Sequence, residues 1–152
     1  MPKQYNNYID FLNKTLQIPD NQPYKAIDMF AGCGGLSLGF EAAGVKTIGY
    51  EMLSDCCESH RVNLHSECFQ QKITVSTEFP EVDIVIGGPP CQPFSRRGKQ
   101  TGKDDERNGF PAFIEAIRRI KPKIWVCENV KGLPEQNKEY FDFIMKELKS
   151  LG

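Results

Sequence analysis

The chain has 152 residues, 39% hydrophobic and 26% charged. That is enough for about one domain with one core, and too apolar for a disordered chain. A net charge of −1 lacks the basic excess of a protein that grips nucleic acid unaided. No apolar run reaches the roughly 18 residues of a membrane span, and the N-terminus MPKQYNNYID has no apolar signal core, so a cytoplasmic protein is expected. The six cysteines, at 33, 56, 57, 68, 91 and 127, form no CxxC pair. Reduced thiols are therefore expected, with neither a disulfide framework nor a metal site.

In chain order, Tyr5, Tyr8, Ile9, Leu12 and Leu16 have helical spacing, and Asp20, Asn21 and Pro23 mark a turn. KAIDMF (25–30) reads as a buried strand that runs into AGCGG, then into a short helix closed by Gly44. VKTIGYE (45–51) is a second strand. Ser54 or Asp55 is a candidate cap for a helix reaching about Leu64. After a weakly patterned region, VDIVIGG (82–88) is a third strand. A helix opens near Pro111, carries Phe113, Ile114, Ile117 and Ile120 on one face, and ends at Pro122. KIWVCEN (123–129) is a fourth strand, and a last helix from near Pro134 turns Phe141, Ile144, Met145 and Leu148 inward. Strands that alternate with helices and are apolar throughout predict a doubly wound α/β fold with a mainly parallel sheet and helices on both faces. Four strands and a chain that stops after a helix make this sheet incomplete at the C-terminus. The expected division is an N-terminal helical extension over 1–24 and a partial catalytic domain over 25–152.

Gly32, Gly34 and Gly35 lie between a strand and a helix, where glycines allow a sharp turn and close backbone approach to a ligand. Glu51 ends the next strand, 19 residues after Gly32, near the spacing of about 20 at which an acid accepts from ribose hydroxyls. A nucleoside-containing cofactor is implied. Ser37 breaks a strict GxGxxG pattern, and a nicotinamide dinucleotide remains an alternative on these residues alone. Cys91 follows the third strand at its C-terminal end, where ligands bind in open α/β sheets. Two prolines hold its backbone and a polar loop follows, which makes its thiol a candidate nucleophile. The remaining cysteines read as small buried hydrophobes. Glu128 and Asn129 end the fourth strand at the same sheet edge. Arg96, Arg97, Lys99 and Lys103 form a basic run after Cys91.

In this order, DMFAGCGGLSLGFEAAG, GGPPCQPFSRRGKQ, DDERNGF and ENVKGL closely resemble the DNA (cytosine-5) methyltransferases over about residues 25–152. The resemblance implies a Rossmann-like fold that uses S-adenosyl-L-methionine. Phe30, Ala31, Gly32, Gly34, Gly35 and Leu36 match the cofactor loop, and Glu51 matches the acid on the ribose. Pro90 lies where cofactor and target base meet, and Phe110 stands where a leucine usually flanks the cofactor. Cys91 matches the nucleophile and Glu128 the residue facing the target base. Ser95, Arg96, Arg97, Arg107 and Asn129 match substrate-binding positions. The implied chemistry is attack of the Cys91 thiolate on carbon 6 of a flipped cytosine, with Glu128 hydrogen-bonding ring nitrogen 3. Carbon 5 is then methylated, and loss of its proton releases the thiol.

Lys72 departs from the family, which often places an adenine-contacting aspartate there. The family's Arg-x-Arg element, target-recognition region and last cofactor element lie beyond the stretch matched here. Double-stranded DNA is the implied partner, together with a further segment or complementary subunit that reads the sequence. The isolated chain is expected to be inactive or weakly active, and a bacterial restriction–modification system is its implied setting. An RNA cytosine-5 methyltransferase, an enzyme of exocyclic amines and a non-catalytic cofactor-binding subunit are the alternatives. Of these, the amine enzymes place an aromatic residue where Cys91 stands.

Overall fold

The computed structural model describes residues 8–64, 66–90 and 108–152. The elements run α1 (Tyr8–Thr15), β1 (Tyr24–Met29), α2 (Gly35–Ala42), β2 (Val45–Glu51), α3 (Ser54–Asn63), β3 (Glu67–Gln70), β4 (Ile84–Gly87), α4 (Phe110–Ile120), β5 (Ile124–Cys127), α5 (Gly132–Gln136) and α6 (Lys138–Lys149). The five strands form one sheet in the order β3-β2-β1-β4-β5, and every pairing is parallel.

Each face of the sheet has its own core. Ala26, Val45, Ile84 and Ile86 form one, covered by Leu36 and Phe40 of α2. Ile27, Met29, Tyr50 and Val85 form the other, packed against Phe113 and Ile117 of α4 and Ile144 and Leu148 of α6. Alternate residues of β1 thus point to opposite, equally dry faces, which is why that strand reads as a continuous apolar run. The doubly wound parallel architecture expected from the sequence is the one observed.

Three details differ. A fifth strand, β3, lies in the weakly patterned region. It pairs with β2 from Ile48↔Glu67 to Glu51↔Gln70, and of its residues only Cys68 is buried, so its sequence carries almost no hydrophobic signal. The last helical segment is two helices, α5 and α6, separated at Asn137, whose side-chain oxygen accepts from the Tyr140 backbone N–H. Ser54 does not cap α3 but begins it, behind an N-cap at Leu53. Its hydroxyl turns instead to Asp55.

The chain crosses over in one direction from β1 to β2 and β3, and in the other to β4 and β5. The ends of β1 and β4 therefore flank the point where the topology reverses, and a crevice opens there. The strands approach closely at that point: a Cβ on Gly87 would lie 2.4 Å from the Met29 carbonyl oxygen. Backbone cannot yield as a flexible side chain can. Gly87→Ala is therefore expected to destabilise the fold by about 1–3 kcal/mol, seen as a lower urea midpoint. Gly39→Ala, in α2 with nothing within 4 Å of the added carbon, is expected to stabilise by about 0.5–1 kcal/mol in the same measurement.

Candidate active site

The glycine loop leaves β1 through a strained backbone. Phe30 has φ 62°, in the left-handed region, a conformation that costs a non-glycine residue of order 1–2 kcal/mol. Surrounding contacts hold it there: Ala31 N–H donates to the Tyr50 carbonyl, and Gly34 N–H to the Ala31 carbonyl. Gly34 has φ 88°, and a Cβ on it would come 2.4 Å from Leu64 Cδ1 and 2.7 Å from His60 Cδ2 of α3. Gly34 thus serves loop packing and faces α3, not the crevice. Gly32 and Gly35 have nothing within 4 Å of a would-be Cβ, so their backbone is open to a ligand.

Glu51, at the end of β2, holds the loop with both oxygens. Oε2 accepts from Gly32 N–H at 2.9 Å and Oε1 from Leu53 N–H at 2.9 Å. A carboxylate offers about four lone-pair sites, so two remain for ribose hydroxyls.

Two cavities meet at the topological reversal. The first, about 350 Å³, is walled by Phe30, Tyr50, Glu51, Met52, Leu53, Gln71, Lys72, Ile73, Gly88 and Pro90, which gives apolar walls around one acid. The second, about 430 Å³, is walled by Asp28, Phe30, Ala31, Gly35, Leu36, Gly88 and Glu128. Phe30 and Gly88 belong to both, so one elongated ligand can run from Glu51 past Phe30 toward Glu128. Gly88 also lets Glu128 come close, since a Cβ there would be 3.1 Å from Glu128 Oε2. An apolar slot edged by a carboxylate and by open glycine backbone, leading into a second cavity walled by Asp28 and Glu128, fits S-adenosyl-L-methionine.

The Asn129 side chain is engaged within the protein. Its Nδ2 donates to the Pro89 carbonyl at 2.7 Å and its Oδ1 accepts from Val130 N–H at 2.9 Å. These bonds tie Asn129 to the Pro89–Pro90 segment that leads to position 91. Phe110 is 2% exposed and packs edge-on against Tyr140, with ring centroids 6.2 Å apart. It walls neither cavity. Cys91, Ser95, Arg96, Arg97 and Arg107 lie outside the described residues. No helix among the described residues is long and apolar enough to cross a membrane.

Motif spacing does not single out Asp28, which lies beneath the loop in the middle of an apolar strand. It is 1% exposed, and its Oδ2 accepts from Ser37 N–H at 3.1 Å and Ser37 Oγ at 2.7 Å. These bonds tie β1 to the first turn of α2. The signal was present in the sequence: a charged residue within a buried strand needs partners. Burial raises the carboxyl from 3.8 to about 6, against the opposing pull of the Ser37 bonds. The folded state thus binds this proton more tightly than the unfolded chain. The stability that Asp28 contributes is greatest below pH 3.8 and is lost as pH rises through about 6, a loss of about 3 kcal/mol at 1.4 kcal/mol per unit. Asp28→Asn keeps an acceptor for Ser37 and removes the proton, so urea midpoints of the variant should fall less than those of the parent over that range.

The C-5 cytosine-specific DNA methylase family model matches residues 24–152. The chain is 45% identical to the type II methyltransferase M.AplI of Arthrospira platensis over 95% of its own length and 43% of that protein's. It is 41% identical to M.HaeII of Haemophilus aegyptius over 85% of its length and 42% of that protein's. It therefore spans less than half of these relatives. Among solved structures, a TehB-like SAM-dependent methyltransferase from Corynebacterium glutamicum superposes with a TM-score of 0.56 at 12% identity, covering 85% of this chain and 66% of that one. A SAM-dependent methyltransferase from Agrobacterium tumefaciens gives 0.53 at 16% identity, covering 91% and 47%. These likenesses agree with the fold, and the family match covers the glycine loop, both cavities and the strand end carrying Glu128 and Asn129. The chain belongs to the C-5 cytosine-specific DNA methylases.

Proposed function

We propose that this chain supplies the catalytic and cofactor-binding half of a DNA (cytosine-5) methyltransferase of a bacterial restriction–modification system. The observation that carries the reading is the pair of cavities joined at Phe30 and Gly88, with Glu51 on one wall and Glu128 on the other. S-adenosyl-L-methionine, bound with its adenosine in the first cavity, supplies an electrophilic methyl group. Glu51 orients the ribose through the lone pairs left free by Gly32 and Leu53. Phe30, Met52 and Ile73 offer the adenine ring apolar surface. Gln71 and Lys72 stand on the same wall, and Lys72 replaces the family's usual acid with a donor for ring nitrogens.

Glu128 walls the second cavity beside Gly88 and hydrogen-bonds ring nitrogen 3 of the target cytosine. Asn129 grips the Pro89 carbonyl and so sets the direction from which the chain enters Cys91. The Cys91 thiolate adds to carbon 6, which makes carbon 5 nucleophilic, and leaves after carbon 5 loses its proton. A base inside a duplex cannot reach such a site and must be flipped, at a cost of a few kcal/mol. The basic run at Arg96 and Arg97, with Ser95 and Arg107, meets the backbone of double-stranded DNA. The segment that reads the target sequence lies in the part of the relatives that this chain does not span, or in a complementary subunit.

The test uses the intact protein, double-stranded DNA and labelled cofactor, with transfer RNA as the control substrate. Cys91→Ser is expected to lower methyl transfer by more than about 1000-fold while cofactor binding persists. Glu51→Ala is expected to weaken cofactor binding by roughly 10- to 100-fold, the loss of charge-assisted hydrogen bonds. Full activity of Cys91→Ser refutes the covalent step. Transfer to RNA and not to DNA refutes the substrate.

A further inference from the structure

Beneath the glycine loop lies a dry polar cluster drawn from four elements. Asp28 of β1, Ser37 and Glu41 of α2, Thr47 of β2 and His60 of α3 are each at most 1% exposed. Thr47 Oγ1 donates to Glu41 Oε1 at 2.6 Å. Ser37 Oγ donates to Asp28 Oδ2 at 2.7 Å and lies 3.4 Å from His60 Nε2. Asp28, Ser37 and His60 thus form one chain of contacts. It runs from the wall of the second cavity, to which Asp28 belongs, into the body of α3.

Two glycines make room for the His60 ring. A Cβ on Gly34 would come 2.7 Å from His60 Cδ2, and one on Gly49, inside β2, would come 2.8 Å from His60 Nε2. Glycine inside a strand marks a close approach, and here the approaching group is the imidazole. Its surroundings fix where the protons go. Burial lowers the imidazole against the pull of the Glu41 carboxylate, so the ring is neutral. A neutral ring carries one N–H. Nδ1 is buried with no partner among the described residues, so an N–H there would be an orphaned donor. The hydrogen therefore sits on Nε2, facing Ser37 Oγ. Above about pH 6 Asp28 is ionised and accepts only, so Ser37 turns its own hydrogen to Oδ2. The chain has one direction: His60 gives to Ser37, and Ser37 gives to Asp28.

We propose that His60 is a positioning residue for the cofactor. Its Nε2–H holds the Ser37 hydroxyl on Asp28, and its ring is the floor on which Gly34 rests. Gly35 and Leu36, between those two points, wall the second cavity. Ser37 donates its N–H and its hydroxyl to the same oxygen of Asp28, Oδ2, which leaves Oδ1 for the cavity. The imidazole thus sets the loop backbone and the Asp28 carboxylate together, while walling neither cavity itself. The proposal rests on reading the two cavities as the cofactor's.

The His60 tautomer is read by imidazole nitrogen NMR of the intact protein at neutral pH. Nε2 is expected to carry the hydrogen and Nδ1 to be bare. An Nδ1–H ring or an imidazolium overturns the proposal. S-Adenosylhomocysteine binding is then titrated in the parent, His60→Gln and His60→Leu, with urea midpoints measured alongside. Glutamine can place an amide N–H where Nε2 stands, whereas leucine fills the space and donates nothing. His60→Leu is expected to weaken binding by about tenfold or more, and His60→Gln by less than about threefold. Parent-like affinity of His60→Leu overturns the proposal. Equal weakening in both variants does so too, because it marks the ring as packing alone. Ser37→Ala breaks the chain at its middle link and is expected to weaken binding as His60→Leu does. Unchanged affinity there overturns the proposal even where His60→Leu does not fold. A parent that does not bind S-adenosylhomocysteine refutes the cofactor reading and the positioning role with it. The tautomer tells that failure apart, since it tests the His60 bond without ligand.

Discussion

Met29 and Gly87 face each other across the β1–β4 ladder so closely that no side chain fits above the Gly87 α-carbon. Everything at the sheet edge depends on this approach. The two strands send their connections in opposite directions, so a crevice opens between their ends. Phe30 and Gly88, the residues immediately beyond the paired positions, wall both cavities. A bulkier residue at 87 would part the strands, and Glu128, whose backbone N–H donates to the Gly87 carbonyl, would move with β5.

Around that fixed edge, acids act as braces before they act in chemistry. Asp28 ties β1 to α2 from below through Ser37, and Glu51 ties the glycine loop to the start of α3 from the side. Each accepts from backbone N–H, and a bond to a carboxylate is stronger than one between neutral groups. The loop can therefore hold Phe30 in a left-handed conformation that it would leave if free. Asn129 extends this logic across the crevice: its amide grips the Pro89 carbonyl, and the ENV triplet thereby holds the end of the segment after β4.

The sequence made the fold class legible because β1, β2 and β4 are buried on both faces and so appear as apolar runs separated by helical periods. β3 was not legible. It is an edge strand with one buried residue, held by its ladder to β2, and hydrogen bonding to a neighbour leaves no mark on composition. The split between α5 and α6 was equally hidden, since a cap at Asn137 interrupts the helix without breaking its apolar spacing. Asp28 was passed over because spacing rules look for acids at strand ends, whereas its role follows from what covers it.

By itself the sequence determined the family. The glycine loop, the acid after β2, the Pro-Cys-Gln block and the Glu-Asn-Val triplet are the stretches that carry it, and requirements on residue type are local and survive as motifs. Only the tertiary structure decided how those residues divide the work. It turned Gly34 toward α3, Asn129 toward Pro89 and Phe110 into the core, and it set Glu51 to hold the loop as well as face the cavity. A motif records which side chain is present. Where that side chain points depends on the neighbours that strand order and helix packing bring to it.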